Sequence, residues 1–230
     1  DEEELAHVHE IETALHKLPA VVEHISRSYE TPSAKRLREA HGVSYGVPFA
    51  DPKVADYVIQ RPFSRGDPAL LETMLTAGSL RGPHKFAVMP FVFSKTPAGA
   101  QRSGGMEGDG LVVVHFGKNM CGYKGIVHGG LLATVFDEAL GRTAFYGLPS
   151  RLGVTGKLEL SYRKPVRAER FYLVETRITE SVGRKCFVSG SLLDPQTRQV
   201  MVEAHAVFIE PRWAKYISWM GTNIHKLLDG

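Results

Sequence analysis

The apolar positions of residues 1–30 fall at Leu5, Val8, Ile11, Leu15, Leu18, Val22 and Ile25, three or four apart, and predict an amphipathic helix kinked or divided at Pro19. Residues 31–68 lose that period and carry Thr31-Pro32, Val47-Pro48, Asp51-Pro52, Arg61-Pro62 and Asp67-Pro68, which predict an irregular connector, followed by a short helix over 69–77. From His84 the period falls to two. KFAVMPFVFSK and LVVVHFG predict strands separated by a glycine-rich turn at 104–110. Residues 128–146 then predict a helix that is apolar nearly all round. After it VTGKLELSYRKPV, RFYLVETRITE, RKCFVSGSLLD and QVMVEAHAVFIE predict four strands in hairpin succession, broken by turn signals at 166–169, 181–183 and 194–198. Short connections favour antiparallel pairing, and a helix without a polar face has to be wrapped, so the expected fold is α+β with an antiparallel sheet curved around one long central helix.

Composition narrows the functional classes. With 43% apolar residues in 230, the chain has material for a sizeable core. Its formal charge of +3 is spread among acidic residues without a basic stripe, which argues against a nucleic-acid partner. Cys121 and Cys186 form neither a disulfide framework nor a metal-binding spacing, and fit a reducing compartment. No apolar run reaches the roughly 18 residues of a membrane span. The chain begins at Asp1, read as a processed or cut end with any targeting segment out of view. His7 and His9 point about 200° apart on a helix and are expected at the surface rather than on one metal. Motifs of serine hydrolases, zincins and P-loop enzymes are absent, and no metal or cofactor is expected.

The candidate chemistry lies in YKGIVHGGLLATVFDEALGRTAFY. Gly129 and Gly130 open the helix, where free N–H groups and the positive dipole end favour a negative or polarised oxygen; the pair also fits a plain entry turn with His128 at the cap. Asp137 is expected to be buried among apolar neighbours, either paired or held uncomfortable for use. Glu138 is expected to pair with Arg142 at i+4. Asp137 follows Gly130 by seven residues, about 10.5 Å along the axis, too far to share one reacting group within a chain. Two antiparallel copies of the helix about a two-fold axis would close that distance, so a dimer with composite sites, or a dimer of dimers, is expected.

These residues resemble a known family. HGGLLATVFDEALG followed by GVTGKLELSYRKPV is similar to the hotdog-fold acyl-CoA thioesterases, in particular the phenylacetate-pathway and thioesterase-superfamily-member branch, which carry an H-G-G-x(6)-D pattern on the central helix and an N-Y-x-x-P-like strand after it. The resemblance covers about residues 84–210. It implies a hotdog domain over 84–210, a mostly helical extension over 1–83 and an aromatic segment over 211–230. It further implies hydrolysis of an acyl-CoA thioester, with the amides at Gly129 or Gly130 polarising the carbonyl, Asp137 of the facing subunit as general base or nucleophile, and His128 positioning the substrate or the loop. Thr155 matches a hydroxyl position that helps hold the attacking water and equally fits a strand threonine. Arg163 and Lys164 are candidate contacts for CoA phosphates or a solvated strand end. The family's asparagine six residues before the histidine is Gly122 here, so that role is not transferred.

A non-catalytic hotdog protein that binds acyl-CoA or serves as an interaction subunit is the alternative, with both termini as docking surfaces for a partner or a membrane. The C-terminal one would hold Trp213, Tyr216, Ile217, Trp219 and Met220; the recurrence of Trp213, Ile217 and Met220 four and three apart instead predicts that this segment packs on the hotdog core or a neighbouring subunit. A hotdog hydratase would want an Asp-x(4)-His on the helix, where this chain has Arg142. Mitochondrial matrix is the expected location, with the cytoplasm as second choice, because N-terminally extended members often reside in the former.

Overall fold

The structure, a computed structural model, describes residues 2–44, 46–64 and 68–214. Two helices open the chain, α1 (Glu2–Lys17) and α2 (Pro19–Ile25), divided where Pro19 takes the first position of the second and its ring no longer fits the first. The stretch expected to be helical ends in a strand, β1 (Ser28–Glu30), and the stretch expected to be irregular holds α3 (Pro32–Ala40) and β2 (Tyr57–Gln60). Thr31-Pro32, read as a connector signal, is a helix start: Thr31 Oγ1 accepts from the Ala34 N–H and Pro32 occupies N1. The expected helix over 69–77 is two short pieces, α4 (Pro68–Leu71) and a π-helical turn at Leu75–Ser79.

The remaining elements are β3 (Phe91–Lys95), α5 (Pro97–Ser103), β4 (Gly110–Phe116), the small hairpin β5 (Cys121–Tyr123) and β6 (Ile126–Val127), α6 (Gly129–Tyr146), and β7 (Val154–Tyr162), β8 (Arg170–Val182), β9 (Lys185–Leu193) and β10 (Val200–Ile209). Eight strands form one sheet in the order β1-β2-β3-β4-β8-β9-β10-β7, antiparallel except for β1 on β2. The expected hairpin succession holds for β8, β9 and β10 only. β7 pairs with β10 at the far edge, and the chain crosses over to set β8 beside β4.

α6 lies across β7–β10, giving the hotdog arrangement of a long helix held by a curved sheet. Gly190 marks a close approach, since a Cβ there would sit 3.1 Å from Leu140 and 3.4 Å from Phe136. The central strands are buried on both faces. Val112, Val114, Val92 and Val174 join Leu132, Phe136 and Leu140 in the core under α6, while their neighbours Leu111, Val113, Phe91, Phe93 and Leu173 join Leu15, Val21 and Ile25 of α1 and α2. The amphipathic stripe of the N-terminal helices thus covers the outer face of the sheet.

That outer layer contains a buried ion cluster. Arg61 Nη1 and Nη2 donate to Glu12 Oε1 and Oε2 at 2.6 and 2.8 Å, Nη2 also reaches the Met89 carbonyl, and His16 Nε2 lies 3.0 Å from Glu12 Oε1. Burial would raise the Glu12 pKa, but the Arg61 and His16 hydrogen bonds and charges hold it well below the carboxylate range. His7, expected at the surface, packs its ring 5.3 Å from that of His84.

Cys186 is fully buried on β9, and desolvation pushes its thiol up to about 11. Alkylation of the folded chain by iodoacetamide at neutral pH is therefore expected at the partly exposed Cys121 and not at Cys186 until the chain is unfolded. Peptide mass mapping reads this directly; early label on Cys186 would contradict the buried placement. Of the aromatic segment, residues 215–230, including Ile217 and Met220, lie outside the described residues. Among the described residues no helix is long and apolar enough to cross a membrane.

Candidate active site

The helix entrance is built by the β5–β6 hairpin, whose exit is tied by the Val127 N–H to the Val166 carbonyl and by the His128 N–H to the Met120 carbonyl. His128 is extended (φ −62°, ψ 131°) and caps α6, its Nδ1 accepting from the Gly130 N–H at 2.9 Å. With Nδ1 as acceptor, the ring proton is assigned to Nε2. The cap uses the Gly130 N–H, while the Gly129 N–H has no acceptor among the described residues. Gly122 packs against the same imidazole: a Cβ there would meet His128 Cδ2 at 2.7 Å, leaving no space for the asparagine of the resemblance.

Asp137 lies two turns further on. The expectation that it is buried does not hold, because it is half-buried, at the flank of α6 that looks past the sheet edge. Its partner is Thr155, whose Oγ1 donates to Asp137 Oδ1 at 2.6 Å. Open depressions flank the carboxylate, one bordered by Gly141, Phe145, Gly153 and Phe208, the other by Met74, Leu75, Thr134 and Leu158. Glu138 does not pair with Arg142 either. Thr76, on the π-helical turn, donates to it at 3.0 Å, so a tertiary partner replaces the local one.

β7 runs antiparallel to the first half of α6. Its first residues set Thr155 on Asp137, and its last sets the Tyr162 hydroxyl on the Gly129 carbonyl at 2.8 Å. His128, Gly129 and Gly130 are therefore together at the start of α6, Asp137 and Thr155 together at its middle. Arg163 and Lys164 follow Tyr162 at the glycine end, exposed, with Arg163 Nε on Glu203 at 2.7 Å. Tyr162 and Thr76 are site neighbours that sequence reading missed. The tyrosine stood inside the quoted SYRKP motif, whereas nothing local to Thr76 announces its contact with residue 138.

A family model described as "Thioesterase superfamily" matches residues 124–201, from the hairpin before α6 to the start of β10. Residues 124–201 are a thioesterase-superfamily domain. The chain is similar to an uncharacterized protein of Schizosaccharomyces pombe, 40% identical over 109 residues, 46% of this chain and 62% of that one. It is similar to a Candida albicans protein named "Uncharacterized protein, mitochondrial", 27% identical over 64% of each chain. It is also similar to the acyl-coenzyme A thioesterase THEM4 of Mus musculus, 31% identical over 94 residues, 41% of this chain and 40% of that one. In each case the match spans less than two thirds of the relative's own length. The thioesterase-superfamily domain contains His128, Gly129, Gly130, Asp137, Thr155, Arg163 and Lys164, so every candidate residue lies within it. Among the described residues it includes no group of three or more His, Cys, Asp or Glu side chains able to hold a metal ion.

Proposed function

We propose that the protein is an acyl-CoA thioesterase, hydrolysing a thioester to free acid and CoA at sites shared between two copies of the chain. The observation that carries this reading is the antiparallel run of β7 along α6, which gives each chain one amide end and one carboxylate end. About 10.5 Å of helix separates them. In a two-fold dimer the glycine end of one α6 faces Asp137 of the other. There the Gly129 N–H would stabilise the oxyanion that forms on the thioester carbonyl, and Asp137 would take the proton of an attacking water or attack the carbonyl itself. The Thr155 hydroxyl, by donating to Oδ1, fixes the carboxylate and leaves Oδ2 to act. His128 contributes by holding the entrance turn. Arg163 and Lys164, at the glycine end, are the proposed contacts for CoA phosphates.

The edge position of β7 supports the dimer. One side of this strand pairs with β10, the other has no strand beside it among the described residues, and Val154 and Tyr162 expose 51% and 54% of their surface. Light scattering is expected to find dimers or dimers of dimers; a monodisperse monomer that turns over thioesters would rule out the shared site. The activity itself is tested by release of free thiol from acyl-CoAs of graded chain length, with turnover expected for at least one length and none for the reading to fail. A mitochondrial location is proposed alongside, on the name of the Candida albicans relative.

A further inference from the structure

Beside the Asp137 face lies a second space with different chemistry. It is a narrow cleft between α6 and the sheet, floored by Phe86, Met89, Val92, Val112, Val114 and Val135, and bordered on its outer side by Pro62, Phe63, Thr76, Ala77 and Arg81. Its rim shares Thr76 and Glu138 with the open depression beside Asp137, and the hydrogen bond between those two side chains separates the spaces. The cleft therefore continues from the carboxylate inward, past a contact carried by a single π-helical turn, a backbone form that recurs at functional sites.

Two guanidiniums line this cleft: Arg142, which is engaged with a partner, and Arg81, which has no counter-charge among the described residues. Arg81 lines it, its Nη1 is buried, and the side chain makes no hydrogen bond or ion pair among the described residues. Burial pushes its guanidinium down to about 10; the like charge of Arg61 adds to this and Glu12 opposes it. Glu12 is not available, being held bidentately by Arg61 and contacted by His16. Glu138, the one carboxylate on the cleft wall, is held at the rim by Thr76 and forms no ion pair with Arg81. An unpaired guanidinium in an apolar slot is costly unless an anion arrives, and an acyl chain ending in a methyl group would leave that cost in place.

We propose that the cleft takes the acyl chain of a thioester whose far end carries a carboxylate, and that Arg81 is the counter-charge that selects it. The thioester end rests on the thioesterase reading; the cleft and its cation do not. As it stands the cavity measures about 60 Å³, roughly the liquid volume of two waters. Entry of a chain thus requires the cleft to widen, and the Thr76–Glu138 hydrogen bond at its rim is the contact that has to open.

The test compares two CoA thioethers that no hydrolase can cleave, S-hexyl-CoA and S-(5-carboxypentyl)-CoA, by calorimetric titration of the full chain, with pairs of other lengths run alongside. The carboxylated thioether is expected to bind about 10- to 100-fold more tightly, the range for a buried hydrogen-bonded charge. Arg81→Met, which keeps an unbranched apolar side chain, is expected to abolish or reverse that preference, and Arg81→Lys to retain part of it. Equal or weaker binding of the carboxylated member at every length in the unmodified chain overturns the proposal. So does a preference that survives unchanged in folded Arg81→Met; should that variant not fold, Arg81→Lys decides, and a preference either equal to that of the unmodified chain or lost altogether overturns the proposal. Turnover of hexanoyl-CoA and adipoyl-CoA is read separately. If neither is hydrolysed while the thioether preference and its dependence on Arg81 persist, the thioesterase reading fails and the carboxylate-selecting cleft stands.

Discussion

Asp137→Asn is expected to lower thioester turnover by about 10²- to 10⁴-fold, the usual contribution of a positioned general base, which corresponds to roughly 3–5 kcal/mol in the barrier. The asparagine keeps the shape of the side chain, and its Oδ1 can still accept from Thr155 Oγ1, the contact measured at 2.6 Å. Because the carboxylate is only half-buried and has no basic partner among the described residues, its charge contributes little to holding the fold. The thermal midpoint of the variant should stay within a few degrees of the unmodified chain. Two measurements on the same sample, thiol release and thermal unfolding, decide between roles. A folded variant with near-normal turnover would sink the assignment of Asp137, and a variant that unfolds would mark the residue as structural.

Glu12→Gln should act in the opposite sense, leaving the chemistry alone and striking stability. It leaves the Arg61 guanidinium, 2% exposed, without its carboxylate. Breaking a buried pair by removing one partner costs about 3–5 kcal/mol; at roughly 2–4 °C per kcal/mol for a chain of this size, the midpoint falls by about 6–20 °C. Replacing both partners, Glu12→Met with Arg61→Leu, should recover most of the loss, because the cost lies in the stranded charge rather than in the missing contact. A double variant no more stable than Glu12→Gln would show that the pair is needed for shape. The pH dependence has a definite sign. The folded-state pKa of Glu12 is depressed below its ordinary 4.5, so this carboxylate contributes stability above that value and the contribution disappears as pH falls toward the folded-state value. Urea midpoints followed from pH 6 downward should therefore drop more steeply below about pH 4.5 in the unmodified chain than in Glu12→Gln.

Both predictions concern charges in places where the linear pattern is apolar, and only one of them was visible there. The Asp137 carboxylate stood out within LLATVFDEALG, and its spacing from Gly130 motivates the proposed two-copy site. Glu12 looked like an ordinary polar position on an amphipathic helix. Its partner is 49 residues away in a Pro-containing stretch read as connector, and the pair exists only because α1 is laid over the outer face of β3 and β4.

The sequence by itself determined the local elements. Period-two alternation marked β8, β9 and β10, three- and four-residue spacing marked α1 and α2 with their break at Pro19, and the apolar run behind His128-Gly129-Gly130 marked α6. Each of these signals is carried by residues a few positions apart, where backbone geometry alone sets the period. Tertiary structure decided the rest. It placed β7 beyond β10 rather than beside β8, added β1 and β2 to the sheet, gave Glu138 to Thr76 instead of Arg142, left Asp137 half-buried on Thr155, and put Arg81 into a cleft without a counter-charge among the described residues. Those outcomes depend on which surfaces meet across tens of residues. Strand order and side-chain partners are fixed by burial and pairing summed over the whole sheet, and a local period carries no record of that sum.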